Sequence, residues 1–378
     1  MIRSELSYWE RESFFHSIDC LIIGSGIVGL SAAIRLKESD PMKDVVVVDR
    51  GPLPLGASTR NAGFACFGSL SELLDDLQHT PRAAVLQLVI QRYEGLKMLR
   101  QRYGDAAIGY EPLGGYEVFR PQDELLFEQC MDALADFNQD LSDLIAPSVY
   151  KKDDSLIARH GLKGIAHLIV NTAEGQLNTG RLMQTLLQKA QSLGVRLMNG
   201  IQIEQLEDVG AYVELQTTAG WGFRTASVLV ATNGFARSLL PDLALQPARN
   251  QVFITQPIPN WPLKGSFHYD KGYVYFRNVG NRLLMGGGRN QDFSGETTVD
   301  MDAHEPIREY LLELAGNLFE TTKPLEIDQW WSGIMGVGTV KQPIIQQIST
   351  NVVVAVRMGG MGVALGTHTG ESAALLLI

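Results

Sequence analysis

The feature that most constrains this chain is a glycine-rich turn between an apolar run and an amphipathic stretch. Cys20 to Ile23 is typical of a buried parallel strand, and Gly24-Ser25-Gly26-Ile27-Val28-Gly29 follows it at once. Apolar residues at helical spacing continue to about residue 38, and Val45 to Val48 supply a second strand. The pattern predicts a βαβ unit with G-x-G-x-x-G at its first turn.

The spacing within this unit indicates a dinucleotide site. Gly24, Gly26 and Gly29 permit a tight turn, close approach of the backbone to a pyrophosphate, and close packing of helix on strand. Asp49 ends the second strand, twenty residues after Gly29, where a carboxylate accepts hydrogen bonds from a ribose. The alternative is an ordinary glycine loop and a solvated charge at Asp49, which the strand-turn-helix context disfavours.

Two further segments favour FAD over NAD. Gly56 to Gly63 is a run of small and polar residues that could pass beside a long ligand, although an unliganded loop would read the same way. Gly359 to Val363 follows a buried strand and opens the last helix. The partial positive charge of that helix terminus suits the negative charge that gathers on a reduced flavin, and NAD needs no second terminus of this kind.

Composition excludes several classes of partner. The 378 residues carry a formal net charge of −10, which disfavours nucleic acid as a partner. Three widely spaced cysteines form no redox or metal motif, and the histidines lack ligand spacing, so no metal is predicted. No apolar run is long enough to predict a transmembrane segment. These features predict a cytoplasmic protein.

The order of segments predicts two domains. Elements of α/β type at the start, middle and end of the chain are separated by strand-rich stretches. We therefore predict an α/β fold, α+β overall, with a Rossmann-like FAD-binding domain and an inserted antiparallel-sheet substrate domain. The FAD-binding domain is assigned to 17–80, 158–245 and 330–378, the substrate-binding domain to 81–157 and 246–329, and an N-terminal arm to 1–16.

Taken together, these motifs resemble the superfamily of FAD-dependent D-amino-acid oxidases, glycine oxidases and sarcosine oxidases. The resemblance covers almost the whole chain. It depends on the order of short segments: Ile22 to Gly29, Gly56 to Ser58, Asn61 to Gly63, Leu229 to Gly234, Leu284 to Gly287, Trp331 to Gly336 and Gly360 to Val363. It implies oxidation of the C–N bond of a small amine or amino acid by hydride transfer to flavin N5, followed by imine hydrolysis.

The same resemblance implies which residues bind FAD. The set comprises Gly24, Gly26, Ile27, Val28 and Gly29 at the pyrophosphate; Asp49, with Arg50 beside it, at the ribose; Ser58, Thr59, Asn61, Ala62 and Gly63 between pyrophosphate and flavin; Ile203 at the adenine through its backbone; Ala231 and Thr232 beside the pyrophosphate; and Gly360, Met361, Gly362 and Val363 at the flavin pyrimidine. Attachment is predicted to be non-covalent. Cys66 is the one nearby nucleophile, and a buried inert thiol is the favoured interpretation for it.

On the substrate side, the resemblance implies that a sheet spanning Gln251 to Gly288 covers the flavin. Catalytic residues remain unassigned. The pocket candidates are Tyr273, Tyr275, Arg277, Arg289, His268 and Met335. Relatives that act on free amino acids carry an arginine where this chain has Met335, so a substrate carboxylate would need Arg289 or Arg277. Met285 stands where sarcosine oxidases have a lysine that assists oxygen reduction.

Two alternatives remain open. A flavin dehydrogenase for a 2-hydroxy acid or polyol phosphate would need a base for the hydroxyl proton, and His268 is the candidate. A non-catalytic FAD-binding subunit of a heteromeric dehydrogenase would share the same motifs. The electron acceptor would be O2, a quinone or another carrier, and the sequence predicts no oligomeric state.

Overall fold

The computed structural model describes residues 7–15, 18–320 and 324–378. The helices are α1 Tyr8–Phe14, α2 Ile27–Ser39, α3 Ala57–Arg60, α4 Leu70–Leu77, α5 Arg82–Tyr103, α6 Asp105–Ile108, α7 Glu124–Leu141, α8 Leu156–Arg159, α9 Thr179–Ser192, α10 Glu305–Leu318 and α11 Gly362–Leu375. Short 3-10 helices span Pro121–Asp123, Asn233–Ser238 and Arg289–Gln291. Of the predicted N-terminal arm, 1–6 and 16 lie outside the described residues, and α1 lies within it.

The strands alternate with these helices along the chain. They are β1 Ile18–Ile23, β2 Val45–Asp49, β3 Phe64–Ala65, β4 Gly115–Phe119, β5 Tyr150–Lys152, β6 His167–Asn171, β7 Gly175–Gln176, β8 Arg196–Asn199, β9 Ile203–Asp208, β10 Val213–Thr217, β11 Gly222–Val230, β12 Gln246–Thr255, β13 Ser266–Tyr269, β14 Val274–Val279, β15 Arg282–Gly287, β16 Ile327–Val337, β17 Ile344–Ser349 and β18 Val352–Val356.

The chain forms two compact units. Unit 1 contains 1–60, 179–248 and 334–378, and unit 2 contains 61–178 and 249–333. The segments 61–80 and 158–178, assigned from sequence to the FAD-binding domain, therefore lie in unit 2. Pairing explains their place, because β3 pairs with β7 and β6 pairs with β4. The assignment of segments to cofactor binding remains a prediction.

Unit 1 is built on a largely parallel sheet. Its order is β17-β18-β11-β1-β2-β8, and β10 and β9 attach through β11. The predicted strand β1 is fully apolar at Leu21 to Ile23 and lies between β11 and β2, parallel to both. A strand buried on both faces needs such a continuous apolar run. The Rossmann-like prediction for these segments is confirmed.

Unit 2 contains the predicted antiparallel sheet. Its order is β16-β12-β15-β14-β13-β4-β6-β5, with β4 and β13 as a parallel pair. One face packs on α10, where Phe253, Phe267, Phe276 and Met285 join Leu311 in a buried core. The Gly- and Tyr-rich stretch from Gly109 to Arg120 predicts a pair of strands, but only Gly115–Phe119 forms a strand there and its antiparallel partner is β6.

Membrane-spanning helices and metal-ligand groups are both absent from the described residues. In the described ranges, no helix combines the length and apolar character needed to span a membrane. Within the same ranges, no three His, Cys, Asp or Glu side chains are grouped as a metal site. The absence of a bound metal stays a prediction.

Candidate functional site

The predicted cofactor residues of unit 1 gather at one edge of its sheet. Strands β1, β2, β11 and β18 run parallel, so their carboxyl ends lie at the same edge. The glycine-rich turn follows β1, Asp49 ends β2, Ala231 follows β11, and Met358 to Gly360 lie just after β18. In open parallel sheets, ligands bind at this carboxyl edge.

The three motif glycines serve different needs. Gly24 has φ of +107°, and a Cβ there would lie 2.8 Å from the Ala231 carbonyl oxygen. A Cβ on Gly29 would lie 2.0 Å from the Gly24 oxygen, so both glycines are required by packing. Gly26 has extended backbone and meets only the Ser58 hydroxyl, at 2.8 Å. Close approach of a ligand is therefore the physical reason for glycine at position 26.

Asp49 is hydrogen-bonded to the glycine-rich turn. Its Oδ2 accepts hydrogen bonds from the Ser25 amide at 3.0 Å and the Ser25 hydroxyl at 2.7 Å, and its Oδ1 accepts from the Gly51 amide at 3.1 Å. These bonds fix the carboxylate beside the helix start. Arg50 is exposed, and its guanidinium lies 3.9 Å from the centre of the Phe235 ring.

A second helix terminus faces the same way. A Cβ on Gly366 would lie 2.8 Å from the Ile27 side chain, and one on Gly370 would lie 2.3 Å from the Val28 carbonyl. Contacts advance together along α2 and α11, so the two helices run parallel with both N-termini at one end. Gly360, Met361, Gly362 and Val363 form the start of α11, and a Cβ on Gly360 would meet no atom within 4 Å.

The remaining predicted residues of unit 1 differ in their hydrogen bonds and in their burial. The Ser58 hydroxyl accepts from the Ile27 amide at 2.9 Å, whereas the Thr59 hydroxyl bonds to the carbonyl of Pro54 at 2.6 Å within its own loop. Ile203 is buried in the core of unit 1. The Thr232 hydroxyl is buried and has no hydrogen-bond partner in the part of the chain that the structure describes.

These observations fit a dinucleotide cofactor. The buried hydroxyl of Thr232 and the helix start after Gly26 offer donors to a pyrophosphate, and the second helix start has open space at Gly360. A Cβ at Gly26 or Gly360 would extend into space that no described protein atom fills beyond the Ser58 hydroxyl. The donor set is therefore suited to a negatively charged ligand.

Comparison with known proteins decides the family. The model of the DAO family, described as FAD dependent oxidoreductase, matches residues 19–376. The chain belongs to this family. It is thus an FAD-dependent oxidoreductase, and its cofactor is FAD.

Individual relatives are distant. The probable oxidoreductase OrdL of Rhizobium meliloti (strain 1021) is 25% identical over 366 residues, which cover 93% of this chain and 81% of the relative. The crystal structure of glycine oxidase from Geobacillus kaustophilus matches with a TM-score of 0.76 at 21% identity, covering 96% of this chain and 95% of that one. L-proline dehydrogenase from P. horikoshii matches with a TM-score of 0.72 at 17% identity, covering 95% and 93%. These structural likenesses show the fold.

Three of the six candidate substrate residues of this oxidoreductase, His268, Tyr275 and Arg277, lie on one face of the unit 2 sheet. Strand register places His268 opposite Tyr275, and Tyr275 opposite Gly286. The neighbouring row places Ser266 opposite Arg277, and Arg277 opposite Leu284. Paired residues share a face, so this face is the one opposite the core under α10. We call it the aromatic face.

Aromatic and aliphatic side chains cover the aromatic face. Phe64 stacks on the His268 ring with centroids 5.2 Å apart, and it meets the Tyr275 ring edge-on at 5.5 Å. Ala62, Val252 and Leu284 are buried in the same cluster, and Trp331 packs against it. Sequence reasoning missed the role of Phe64, although its position directly after Asn61-Ala62-Gly63 was a usable signal.

Arg277 is a buried cation on the aromatic face. Its side chain is 7% exposed, and Nη1 donates to the Gly63 carbonyl at 3.4 Å. Nε has no hydrogen-bond partner, and no carboxylate lies within 4 Å, among the residues that the structure describes. Burial lowers the pKa of Arg277 to about 10, and the charge of Glu111 opposes that change. The guanidinium remains charged at neutral pH with donors to spare.

Arg289, unlike Arg277, contacts aromatic rings. Its guanidinium lies over the rings of Tyr273 and Phe293, at 5.3 and 5.1 Å from their centres. Burial lowers its pKa, while Tyr273 and Glu296 oppose the change. Tyr273 precedes β14, so the strand alternation that places Tyr275 on the aromatic face does not extend to it. Arg289 is therefore held by ring contacts, whereas Arg277 presents an unused donor.

The segment from Asn61 to Gly63 also belongs to unit 2. Asn61 Oδ1 accepts from the Gly63 amide at 2.8 Å, and Gly63 has φ of +73°. The Gly63 carbonyl accepts from both Leu177 and Arg277. This turn is thus anchored beside the buried cation. Its contact with FAD remains a prediction.

Two methionines that the sequence singled out have separate placements. Met285 is wholly buried in the core beneath α10, on the sheet face opposite Arg277. A residue there cannot reach the aromatic face, and the electron acceptor stays a prediction. Met335 is half-buried and lies in unit 1, whereas the other five pocket candidates lie in unit 2.

Cys66 is unsuited to a covalent flavin link. Its side chain is 4% exposed, and burial together with Glu174 and Glu72 raises the pKa of the thiol well above its usual range. The nucleophilic thiolate is therefore scarce at neutral pH. We expect acid precipitation to release all yellow colour into the supernatant, for the natural protein and for Cys66→Ser alike. Colour that stays in the pellet, and is lost in Cys66→Ser, would contradict this expectation.

Proposed function

We propose that this FAD-dependent oxidoreductase oxidises the C–N bond of a small amino acid or related amine. The observation that carries the proposal is the aromatic face, where the buried cation Arg277 has unused donors among apolar side chains. A substrate with a carboxylate would supply the missing counter-charge, and its apolar part would pack on the rings of Phe64 and Tyr275. Two structures with the same fold also support the proposal, because glycine oxidase and L-proline dehydrogenase are named for amino-acid substrates.

Each part of the face would have a physical role in the reaction. The guanidinium of Arg277 would bind the carboxylate and fix the direction of the α-carbon. Phe64, Tyr275 and Trp331 would exclude water around the nitrogen, which favours the neutral amine over the ammonium. FAD supplies the acceptor for the two electrons that leave the α-carbon. Water then hydrolyses the released imine to a carbonyl product and ammonia or an amine.

A 2-hydroxy acid is a weaker candidate for the substrate. Its oxidation needs a base for the hydroxyl proton, and a base is efficient when its pKa lies near the working pH. Burial lowers the pKa of His268 to about 4. The imidazole would therefore hold a proton poorly at neutral pH. Hydride loss from an amine that is already neutral needs no base in that step, so the same face suits an amine better.

An anaerobic screen of the purified holoenzyme tests the proposal. We expect glycine, sarcosine, L-proline or D- or L-alanine to bleach the flavin absorbance near 450 nm, whereas lactate and glycerol 3-phosphate leave it unchanged. Bleaching by lactate or glycerol 3-phosphate alone would favour the dehydrogenase alternative. No bleaching by any amine, amino acid or hydroxy compound would favour a non-catalytic subunit. Readmitting O2 or adding a soluble quinone then identifies the electron acceptor and separates oxidase from dehydrogenase.

A further inference from the structure

A buried acidic cavity lies next to the aromatic face in unit 2. Its volume is about 10 Å³, the room that a single water needs. The lining residues include Glu117, Glu174, Asn171, Tyr150 and His268. Strand register places Glu117 opposite His268, which is itself opposite Tyr275. One row of side chains thus runs from the acidic cavity to the aromatic face.

The two carboxyl groups of the cavity are fixed by hydrogen bonds. Glu174 Oε1 accepts from the amides of Phe67 and Gly68 at 2.8 and 3.2 Å. Glu117 accepts from the hydroxyl of Ser71 and, at 3.3 Å, from the Ser71 amide. Both glutamates are less than 5% exposed. Their positions are therefore set by the fold and not by solvent.

The unpaired amide N–H of Asn171 indicates that a water or small ligand occupies the cavity. Asn171 is 4% exposed, its Oδ1 accepts from the Ala173 amide, and its Nδ2 has no partner in the described part of the chain. A buried amide N–H without a partner costs free energy unless a water or ligand accepts from it. A single water in the cavity would accept from Asn171 and donate to a carboxylate. Such a water would connect the carboxyl groups to His268.

The charges around Glu117 favour a group that gains and loses a proton near neutral pH. Burial raises the pKa of Glu117 to about 7 and that of Glu174 to about 8, each against the effect of its hydrogen bonds. Glu72 raises both pKa values further. The other titratable or charged groups around this region are Arg92, Tyr150, Cys130, Cys66 and His268.

We propose that Glu117, supported by Glu174 and connected through His268, accepts the proton that a substrate ammonium loses before oxidation. This inference rests on the proposed function. The N–H bond of the ammonium breaks, an O–H bond forms on the Glu117 carboxylate, and no electrons are transferred. His268 passes the proton on because its neutral ring accepts at one nitrogen while it donates at the other. The aromatic face excludes bulk water, so an internal acceptor is needed.

Infrared difference spectroscopy of the holoenzyme tests the carboxyl groups without any substrate. Between pH 5 and pH 9 we expect a protonated-carboxyl C=O band above 1,700 cm⁻¹ to disappear, with an apparent pKa near 7. Glu117→Gln should remove the component that titrates near pH 7 and leave the component of Glu174, whose pKa is about 8, while keeping the bond from Ser71, since the amide has nearly the same shape. Ser71→Ala removes a donor to the carboxylate, so it should move the titration to higher pH. Glu128→Gln, an exposed glutamate on α7, is the matched control and should change nothing.

Stopped-flow bleaching under anaerobic conditions tests the relay itself. With glycine or L-proline, we expect the bleaching rate of the natural protein and of Glu128→Gln to rise with pH around 7. Glu117→Gln should bleach at least tenfold more slowly at pH 7 and approach the natural rate only near the pKa of the free amine. Ser71→Ala should shift the profile to higher pH.

Each outcome of the two measurements decides the proposal. A carboxyl band that does not titrate between pH 5 and pH 9, or whose component near pH 7 is unchanged in Glu117→Gln, overturns it. A bleaching profile that is the same in Glu117→Gln and Ser71→Ala as in the natural protein also overturns it. If no amine bleaches the flavin, the proposed function fails, and with it the relay, even where the infrared band behaves as expected. If Glu117→Gln does not fold, Ser71→Ala alone decides through its shift.

Discussion

Replacing Gly26 by valine is expected to yield a folded, colourless protein. The backbone at this position is extended, with φ of −73° and ψ of −177°, and a Cβ would lie 2.8 Å from the Ser58 hydroxyl. Valine therefore requires only that the Ser58 side chain turn away, at the cost of its bond from the Ile27 amide, and it occupies the space that a pyrophosphate needs. We expect FAD affinity to fall at least about a thousandfold, which corresponds to roughly 4 kcal/mol. Flavin absorbance after purification and titration of the apoprotein with FAD measure the effect.

Gly316→Ala is the matched control for Gly26→Val. Gly316 lies within α10, and a Cβ there meets no atom within 4 Å. This change should keep full flavin content and stabilise the helix by roughly 0.5 to 1 kcal/mol. Circular dichroism and thermal unfolding of the apoproteins show whether both variants fold. Gly26→Val protein that retains FAD at natural affinity would contradict the assignment of this turn to the cofactor.

Replacing Arg277 by methionine is expected to abolish recognition of a carboxylate while leaving the fold intact. A substrate carboxylate buried on the aromatic face without its charged partner loses about 3 kcal/mol, or roughly a hundredfold in KM. The free protein should be no less stable than the natural one, because it no longer buries a cation without a carboxylate partner. The measurements are KM for glycine or L-proline, KM for an amine without a carboxylate, and the melting temperature.

Arg289→Met separates a binding role from a general loss of positive charge. Arg289 is held over two aromatic rings, so its removal should change KM by less than about threefold. Arg277→Lys keeps the charge but not the forked geometry, and it should recover only part of the loss. If Arg277→Met binds both substrate classes as before, Arg277 is structural. If Arg289→Met shows the large effect, the carboxylate partner is Arg289.

Local sequence determined the architecture of unit 1. The apolar strand, Gly24 to Gly29, and Asp49 follow one another within thirty residues, so their geometry depends on neighbours along the chain. Steric contacts at Gly24 and Gly29 exclude nearly every other residue, so the motif can be recognised without a structure. The helices Arg82–Tyr103 and Thr179–Ser192 likewise bury apolar residues that recur at helical spacing in the sequence. The predicted cofactor FAD agrees with the family.

Sheet register decided what the sequence left open. The alternation of β15 leaves two possible faces for Met285, and only its pairing with Phe253 and Phe276 places it in the core. The sequence named Arg277 and Arg289 as equal candidates for a substrate carboxylate, and only the fold showed that Arg277 is buried with an unpaired Nε among the described residues. Glu117 and Glu174 are 57 residues apart in sequence, and nothing local marks either of them as a group with a raised pKa.

The physical reason for this division is the range of the interactions. A turn, a helix period or an apolar strand is set by steric limits and by neighbours a few residues away, so the sequence alone determined the cofactor motif and the broad fold class. Burial, counter-charges and hydrogen-bond satisfaction depend on residues brought together from distant parts of the chain. Only the tertiary structure could therefore distinguish Arg277 from Arg289 and place Glu117 beside His268.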